Sequence, residues 1–171
     1  PLKQYLKLGT DYVYPSWKEV GEQPVIYPRI QSQNAGTRLS PITGSETWYY
    51  SDTEIKFDSA GLSLDKKFKK ETYKDGAVTV PSLRIVSNLA SLDNIKPDKI
   101  DLVARVKIGV PEAIISPSIP VSLEEVAGDP YDSYIAITNG GVIDNTTDSI
   151  VSTAYLRKGG QKVTEGITYK W

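Results

Sequence analysis

The sequence contains no cysteine, no histidine and no methionine. Without Cys there is no disulfide, no thiolate nucleophile, no Cys-ligated zinc and no iron–sulfur cluster, and the disulfide-stapled class of secreted domains is excluded. Without His, the Ser-His-Asp triad, the usual zinc ligand sets and the commonest general acid–base are gone. Without Met there is no initiator, so the chain is expected to be processed, trimmed or cut from something longer. Charge of one sign is scarce too: 20 Lys and Arg against 21 Asp and Glu leave a net charge of −1. A nucleic-acid partner, which normally requires a basic excess, is therefore not expected. No run approaches the ~18 uninterrupted apolar residues of a membrane span. The least charged stretch, Ala113–Leu123, is broken by Pro117 and Pro120, and no membrane insertion is expected. No Gly-rich phosphate loop occurs.

What is present reads as strands. Between Lys99 and Gly109, Ile100, Leu102, Ala104, Val106 and Ile108 alternate with mostly charged neighbours, which places the apolar set on one face of a strand. Shorter segments rich in Val, Ile, Thr and Tyr predict strands at Val25–Ile30, Thr47–Tyr50, Glu54–Phe57, Ser82–Leu89, Ile119–Val126, Tyr134–Thr138, Ile150–Leu156 and Ile167–Trp171. Asp75-Gly76, Asn139-Gly140-Gly141 and Lys158-Gly159-Gly160 are turn signals between them. Eleven prolines spread along 171 residues would break most helices of ordinary length. Leu64–Tyr73 alone tolerates a helix, of at most a turn or two. The fold class is all-β, in one domain or two small ones.

The order of strands adds detail. Trp48 lies on a strand that turns at Ser51-Asp52-Thr53; further on come Leu83-Arg84-Ile85, Leu89 and then Asp98 to Ala104. This resembles the immunoglobulin-like (Ig-like) β-sandwich, with its core Trp on strand C, a Leu-x-Ile pair on strand E and an Asp heading strand F. The chain departs from that pattern where Leu102 replaces the corner Tyr and Ala104 replaces the Cys. The expected core markers are Trp48, Leu83, Ile85, Ile100, Leu102, Ala104 and, further on, Trp171. The module would span 11–127, with Ile115–Val126 as its last strand and residues 1–10 as a lead-in strand or linker. After Gly128-Asp129-Pro130, residues 128–171 read as strands A to C of a second Ig-like module, since Val163–Trp171 echoes Ile42–Trp48. A three-strand module ending at its core Trp leaves an open edge, so the natural polypeptide is expected to continue.

Pro24-Val25-Ile26-Tyr27-Pro28-Arg29, Thr47-Trp48-Tyr49-Tyr50, Val80-Pro81-Ser82-Leu83-Arg84-Ile85 and Gly166-Ile167-Thr168-Tyr169-Lys170-Trp171 resemble stretches of phage and prophage minor structural proteins. In that family, Ig-like modules are strung along tail-associated or capsid-decorating polypeptides. The resemblance implies a virion location, an assembly or host-contact role and no enzyme activity. It also implies other virion proteins or copies of the chain itself as partners, and it transfers no catalytic residues.

Chemistry-bearing clusters mostly have structural readings. Glu124 and Glu125 are adjacent, so on a strand they point to opposite faces. Asp129 and Asp132, or Asp144 and Asp148, could offer oxygens to Ca²⁺, but match no calcium loop and read as turn-forming acids. Asn145-Thr146-Thr147 matches a glycosylation sequon, which is idle in a bacterial virus. Lys66-Lys67-Phe68-Lys69-Lys70 with Tyr73-Lys74 pairs cations with rings, yet Asp65, Glu71 and Asp75 interleave and favour a solvated loop. No metal and no cofactor is expected. The aromatics Tyr12, Tyr14, Trp17 and Tyr49 are the candidate ligand or interface residues. They motivate the alternative reading, a carbohydrate-binding or adhesive module of a bacterial surface protein with a host-surface glycan as its ligand.

Overall fold

A computed structural model describes residues 2–32, 38–107, 112–129, 131–137 and 149–170. The described residues are almost entirely β. In chain order the elements are β1 (Leu2–Lys7), β2 (Val13–Tyr14), a 3-10 turn (Val20–Glu22), β3 (Val25–Ile26), β4 (Ile30–Gln31), β5 (Arg38–Leu39), β6 (Thr47–Tyr50) and β7 (Thr53–Glu54). There follow β8 (Phe68–Asp75), β9 (Val78–Ile85), β10 (Asp98–Lys107), β11 (Glu112–Ile115), β12 (Ser118–Val126), β13 (Tyr131–Ile137), β14 (Ser152–Lys158) and β15 (Gln161–Lys162).

The largest sheet runs β2-β1-β12-β10-β6-β7, with β11 also paired to β10. β10 is its spine: Ile100, Leu102, Ala104 and Val106 are all buried, as the alternation predicts. Leu102 lies opposite Trp48 of β6 in an antiparallel register. β11 and β12 continue one register along β10, interrupted at Ser116-Pro117, where the Leu102 N–H donates to the Pro117 carbonyl. The expected last strand at Ile115–Val126 is therefore broken once by a proline that cannot donate.

A second, three-stranded sheet, β3-β9-β8, faces the first. β8 and β9 form a hairpin in which Asp75 pairs with Val78 across Gly76-Ala77, with Gly76 at φ +65°. Here the sequence expectation is corrected twice. The helix-tolerant stretch Leu64–Tyr73 contributes most of β8, because cross-strand pairing with β9 and full burial of Phe68 outweigh local helix tolerance. The lysine cluster is correspondingly half strand: Lys70 pairs with Glu46 at 2.8 Å and Lys69 with Glu71 at 3.1 Å.

Between these sheets lies one core. Leu6, Val13, Trp48, Ile100, Leu102, Ala104, Val121 and Leu123 from the large sheet meet Phe68, Leu83 and Ile85 from the small one. The core markers Trp48, Leu83, Ile85, Ile100, Leu102 and Ala104 are all buried; Trp171 lies outside the described residues.

The N-terminal residues, expected as a lead-in strand or linker outside the sandwich, supply β1, inside the large sheet. β1 runs parallel to β12, with Leu2 opposite Val121 and Lys7 opposite Val126. Leu6 and Gln4 are fully buried. The Gln4 amide is saturated: Nε2 donates to the Pro15 carbonyl and to Asn88 Oδ1, both at 2.9 Å, while Oε1 accepts the N–H groups of Leu89 at 2.8 Å and Ala90 at 3.1 Å. A buried amide with every bond made ties the first strand to two loops.

Past Ala127, β13, β14 and β15 form a separate three-stranded antiparallel sheet. Its third strand is Gln161–Lys162, and the described part of Ile167–Trp171 forms no strand, which corrects the expected strand C. The reason is the Gly159-Gly160 turn. With φ +55° and +81° it reverses the chain in two residues, so the next strand pairs at once with β14. Asn139-Gly140-Gly141, Asp144, Asp148 and Asn145-Thr146-Thr147 lie outside the described residues.

Candidate functional site

The aromatics expected to share a ligand face are divided among different surroundings. Tyr12 is exposed, and its hydroxyl donates to the Gly159 carbonyl at 3.1 Å. Tyr14 is buried, with its ring 5.4 Å from Tyr5 and 5.9 Å from Tyr12. Burial, reinforced by Tyr5, Asp129, Asp132 and Tyr12, pushes the Tyr14 phenol up to about 12. Trp17 is buried in the core, and its main-chain N–H donates to Asn88 Oδ1 at 2.8 Å. Tyr49 is half-buried on the outward side of β6, as the inward Trp48 requires. The structure thus brings Tyr12 and Tyr14 together and leaves Trp17 and Tyr49 apart from them.

What gathers around Tyr12 and Tyr14 is the docking of the C-terminal sheet onto the edge made by β1 and β2. Lys7 Nζ meets Asp129 Oδ1 at 2.7 Å, and this contact holds the Asp129 carboxyl below its ordinary range. Gly160 lies so close to Tyr14 that a Cβ on it would stand 2.1 Å from the Tyr14 Cβ. Arg157, buried although it belongs to the exposed sheet, forms an ion pair with Glu22 and donates to the Tyr134 hydroxyl at 3.1 Å. Burial alone would lower the Arg157 pKa, but Glu22 and Tyr134 outweigh it and keep the guanidinium firmly charged. Beside this pair opens a cleft of about 500 Å³ lined by Trp17, Glu22, Asp132, Ser133, Tyr134 and Arg157. Its strongest polar groups are engaged with one another, an arrangement for holding two parts of a chain together or for orienting a polar ligand.

The rest of the C-terminal sheet is bare. Tyr131, Ile135 and Ile137 project from one face of β13, and Tyr134 stacks on Tyr155 at 4.8 Å on the other. Lysines lie over two of these rings, Lys158 over Tyr131 at 5.4 Å and Lys162 over Tyr155 at 4.7 Å. Among the described residues, no cluster of three or more acids assembles a metal-binding group. Glu124 and Glu125 are both exposed, and Asp129 is taken up by Lys7.

Sequence reasoning missed Gln4, Glu22, Arg157 and Gly160. For Gln4 a signal existed: it shares the strand face of Leu2 and Leu6, so period 2 alone points it inward. Gly160 was legible as a turn residue but not as a packing surface. Glu22 and Arg157 are 135 positions apart, and nothing local announces their pairing.

Comparison with family models, with curated proteins and with solved structures finds no match to this chain.

Proposed function

We propose that the chain is a non-enzymatic structural and assembly protein of a phage or prophage virion, tail-associated, that presents Ig-like modules for docking to other virion proteins, to copies of itself or to the host surface. The observation that carries the reading is the distribution of apolar side chains. The apolar side chains that the first sandwich exposes, Leu8, Val20, Leu64, Leu92 and Ile114, lie in separate elements, whereas the C-terminal sheet exposes Tyr131, Ile135 and Ile137 on one face of a single strand. Contiguous exposed apolar surface of this kind serves protein contact. The virion setting rests on the sequence resemblance.

Support for Ig-like modules comes from the division of strands. β6, β10 and β12 fall in one sheet and β3, β9 and β8 in the other, which parallels the CFG and BED groupings of that fold. Ala104, in the position of the usual Cys, is buried between them.

The junction cleft favours a second reading, a carbohydrate-binding or adhesive module at a bacterial cell surface, because rings beside carboxylates and an Arg suit a sugar's C–H faces and hydroxyls. A glycan array run beside an analysis of association separates the two. The assembly reading expects self-association or co-purification with a virion protein and no glycan signal. A strictly monomeric chain whose glycan binding weakens on Tyr134→Ala would overturn it; Trp17 is too buried for its removal to report on binding alone.

A further inference from the structure

We propose that the outer edge of β13 is a docking strand for a second copy of this chain, which adds its own β13 antiparallel across a two-fold axis. The proposal rests on the assembly reading and names its surface and its partner.

An unpaired edge offers a row of N–H and C=O groups to any passing strand, and proteins blunt such edges with proline, lysine, shortness or cover. Among the described residues, the longer edges of the two facing sheets carry such devices. The part of β12 beyond the reach of β1 contains Pro120 and follows Pro117. The outer edge of β8 carries Lys69, Lys70 and Lys74, and residues 61–63 cover its start through the Lys70 N–H to Gly61 bond and the Ser63 N–H to Phe68 bond. β7 and β2 are two residues long. β13 has none of these devices. It is seven residues long, Tyr-Asp-Ser-Tyr-Ile-Ala-Ile, without proline or lysine and with Asp132 as its single charge, and among the described residues it pairs with β14 on one side alone.

Its sequence suits a copy of itself. A two-fold centred on Tyr134 sets Tyr131 opposite the second copy's Ile137, Ser133 opposite its Ile135 and Asp132 opposite its Ala136. Apolar thus meets apolar or small, and no like charges face each other. The net charge of −1 adds no strong repulsion between copies. The three-stranded sheet would double, which matters because its own third strand is two residues long.

Size sets the strength. Tyr131, Tyr134, Ile135 and Ile137 are 65%, 41%, 57% and 47% exposed. Edge-to-edge pairing of two seven-residue strands covers the facing main chain and the flanks of these side chains and leaves both sheet faces open, so the buried area falls below the about 1,000 Å² of a stable specific interface. The pairing is therefore reversible and concentration-dependent.

Sedimentation velocity of the full chain over a concentration series tests this, with Ile135→Lys on the edge and, as an apolar-to-lysine control elsewhere, Val20→Lys at a still more exposed position. The expected result is a weight-average mass that climbs toward twice the monomer for the wild type and Val20→Lys, and stays at the monomer for Ile135→Lys. A spin label on Ser133→Cys, the sole thiol in this cysteine-free chain, reads the register independently. The two-fold sets the labelled Cβ atoms about 7–8 Å apart on the diagonal, so dipolar broadening grows with concentration. Association that survives Ile135→Lys without broadening would overturn the edge proposal while the assembly reading stands. A wild type that stays monomeric also overturns the edge proposal, and one that binds glycan as well sinks both.

Discussion

Gly160→Ala is the sharpest perturbation of the junction between the sandwich and the C-terminal sheet. Two costs are expected. Gly160 sits at φ +81°, where any residue with a Cβ pays about 1–2 kcal/mol. The new Cβ would also stand 2.1 Å from the Tyr14 Cβ and 2.7 Å from its Cγ, the rigid root of a buried ring rather than a flexible tip. Relief requires the β14–β15 hairpin to lift away, at an overpacking cost of about 1–3 kcal/mol, with loss of the Tyr12–Gly159 hydrogen bond. Gly44→Ala carries the first cost alone, because Gly44 has φ +76° with nothing within 4 Å of its would-be Cβ. Native-state amide exchange is the assay. Relative to Gly44→Ala, Gly160→Ala is expected to lower protection in β15 by about 5- to 100-fold while β10 keeps its protection. Equal protection in the two variants at the junction would refute the claim that Gly160 is a packing contact.

Three further outcomes follow from particular contacts. Gln4→Leu should destabilise the chain by about 2–5 kcal/mol in urea unfolding, because the buried Leu89 and Ala90 N–H groups and the Pro15 carbonyl lose their partner; a loss under 1 kcal/mol would show that β1 is dispensable. On alkaline titration, Tyr14 and Tyr50, both raised to about 12 chiefly by burial, should ionise after the exposed tyrosines. The unfolded chain gives up these protons near pH 10, so their contribution is intact below pH 10 and is lost as pH rises through 12, which phenolate absorbance and melting temperature should record together. At the acid end, burial pushes Glu46 and Glu71 upward, but Lys70 on the one and Arg84 with Lys69 on the other outweigh it and hold both below 4.5. Their stabilisation is present above 4.5 and disappears as pH falls through their lowered values, and Lys70→Met should remove the Glu46 part from the pH–melting curve.

The fold was largely legible wherever side chains alternate strictly. Ile100, Leu102, Ala104 and Val106 announced both a strand and its buried face, and Trp48 with Leu83 and Ile85 announced the opposing sheet. β8 was not legible, because Lys66-Lys67-Phe68-Lys69-Lys70 carries no alternating pattern; its pairing with β9 decides its conformation. β1 was read only as a lead-in strand or linker, because its inward set, Leu2, Gln4 and Leu6, contains an amide. Such a residue reads as surface until its four partners, contributed by Pro15 and by residues 88–90, are in view. The candidate site was the least legible part. Tyr12 and Tyr14, singled out as ligand or interface aromatics, pack within the chain against Gly159 and Gly160. The outward strand β13 was recognised as a strand, and the sequence carried its lack of proline and lysine. What could not be read there is that β14 occupies one side of it alone.

The central claim is that β13 is an assembly edge, and amide hydrogen exchange of the wild-type chain at rising protein concentration reads it residue by residue. The account expects protection within Tyr131–Ile137 to increase with concentration, confined to the amides that point away from β14, while β10 stays constant. Protection in β13 that is independent of concentration, alongside unchanged mass, would contradict it.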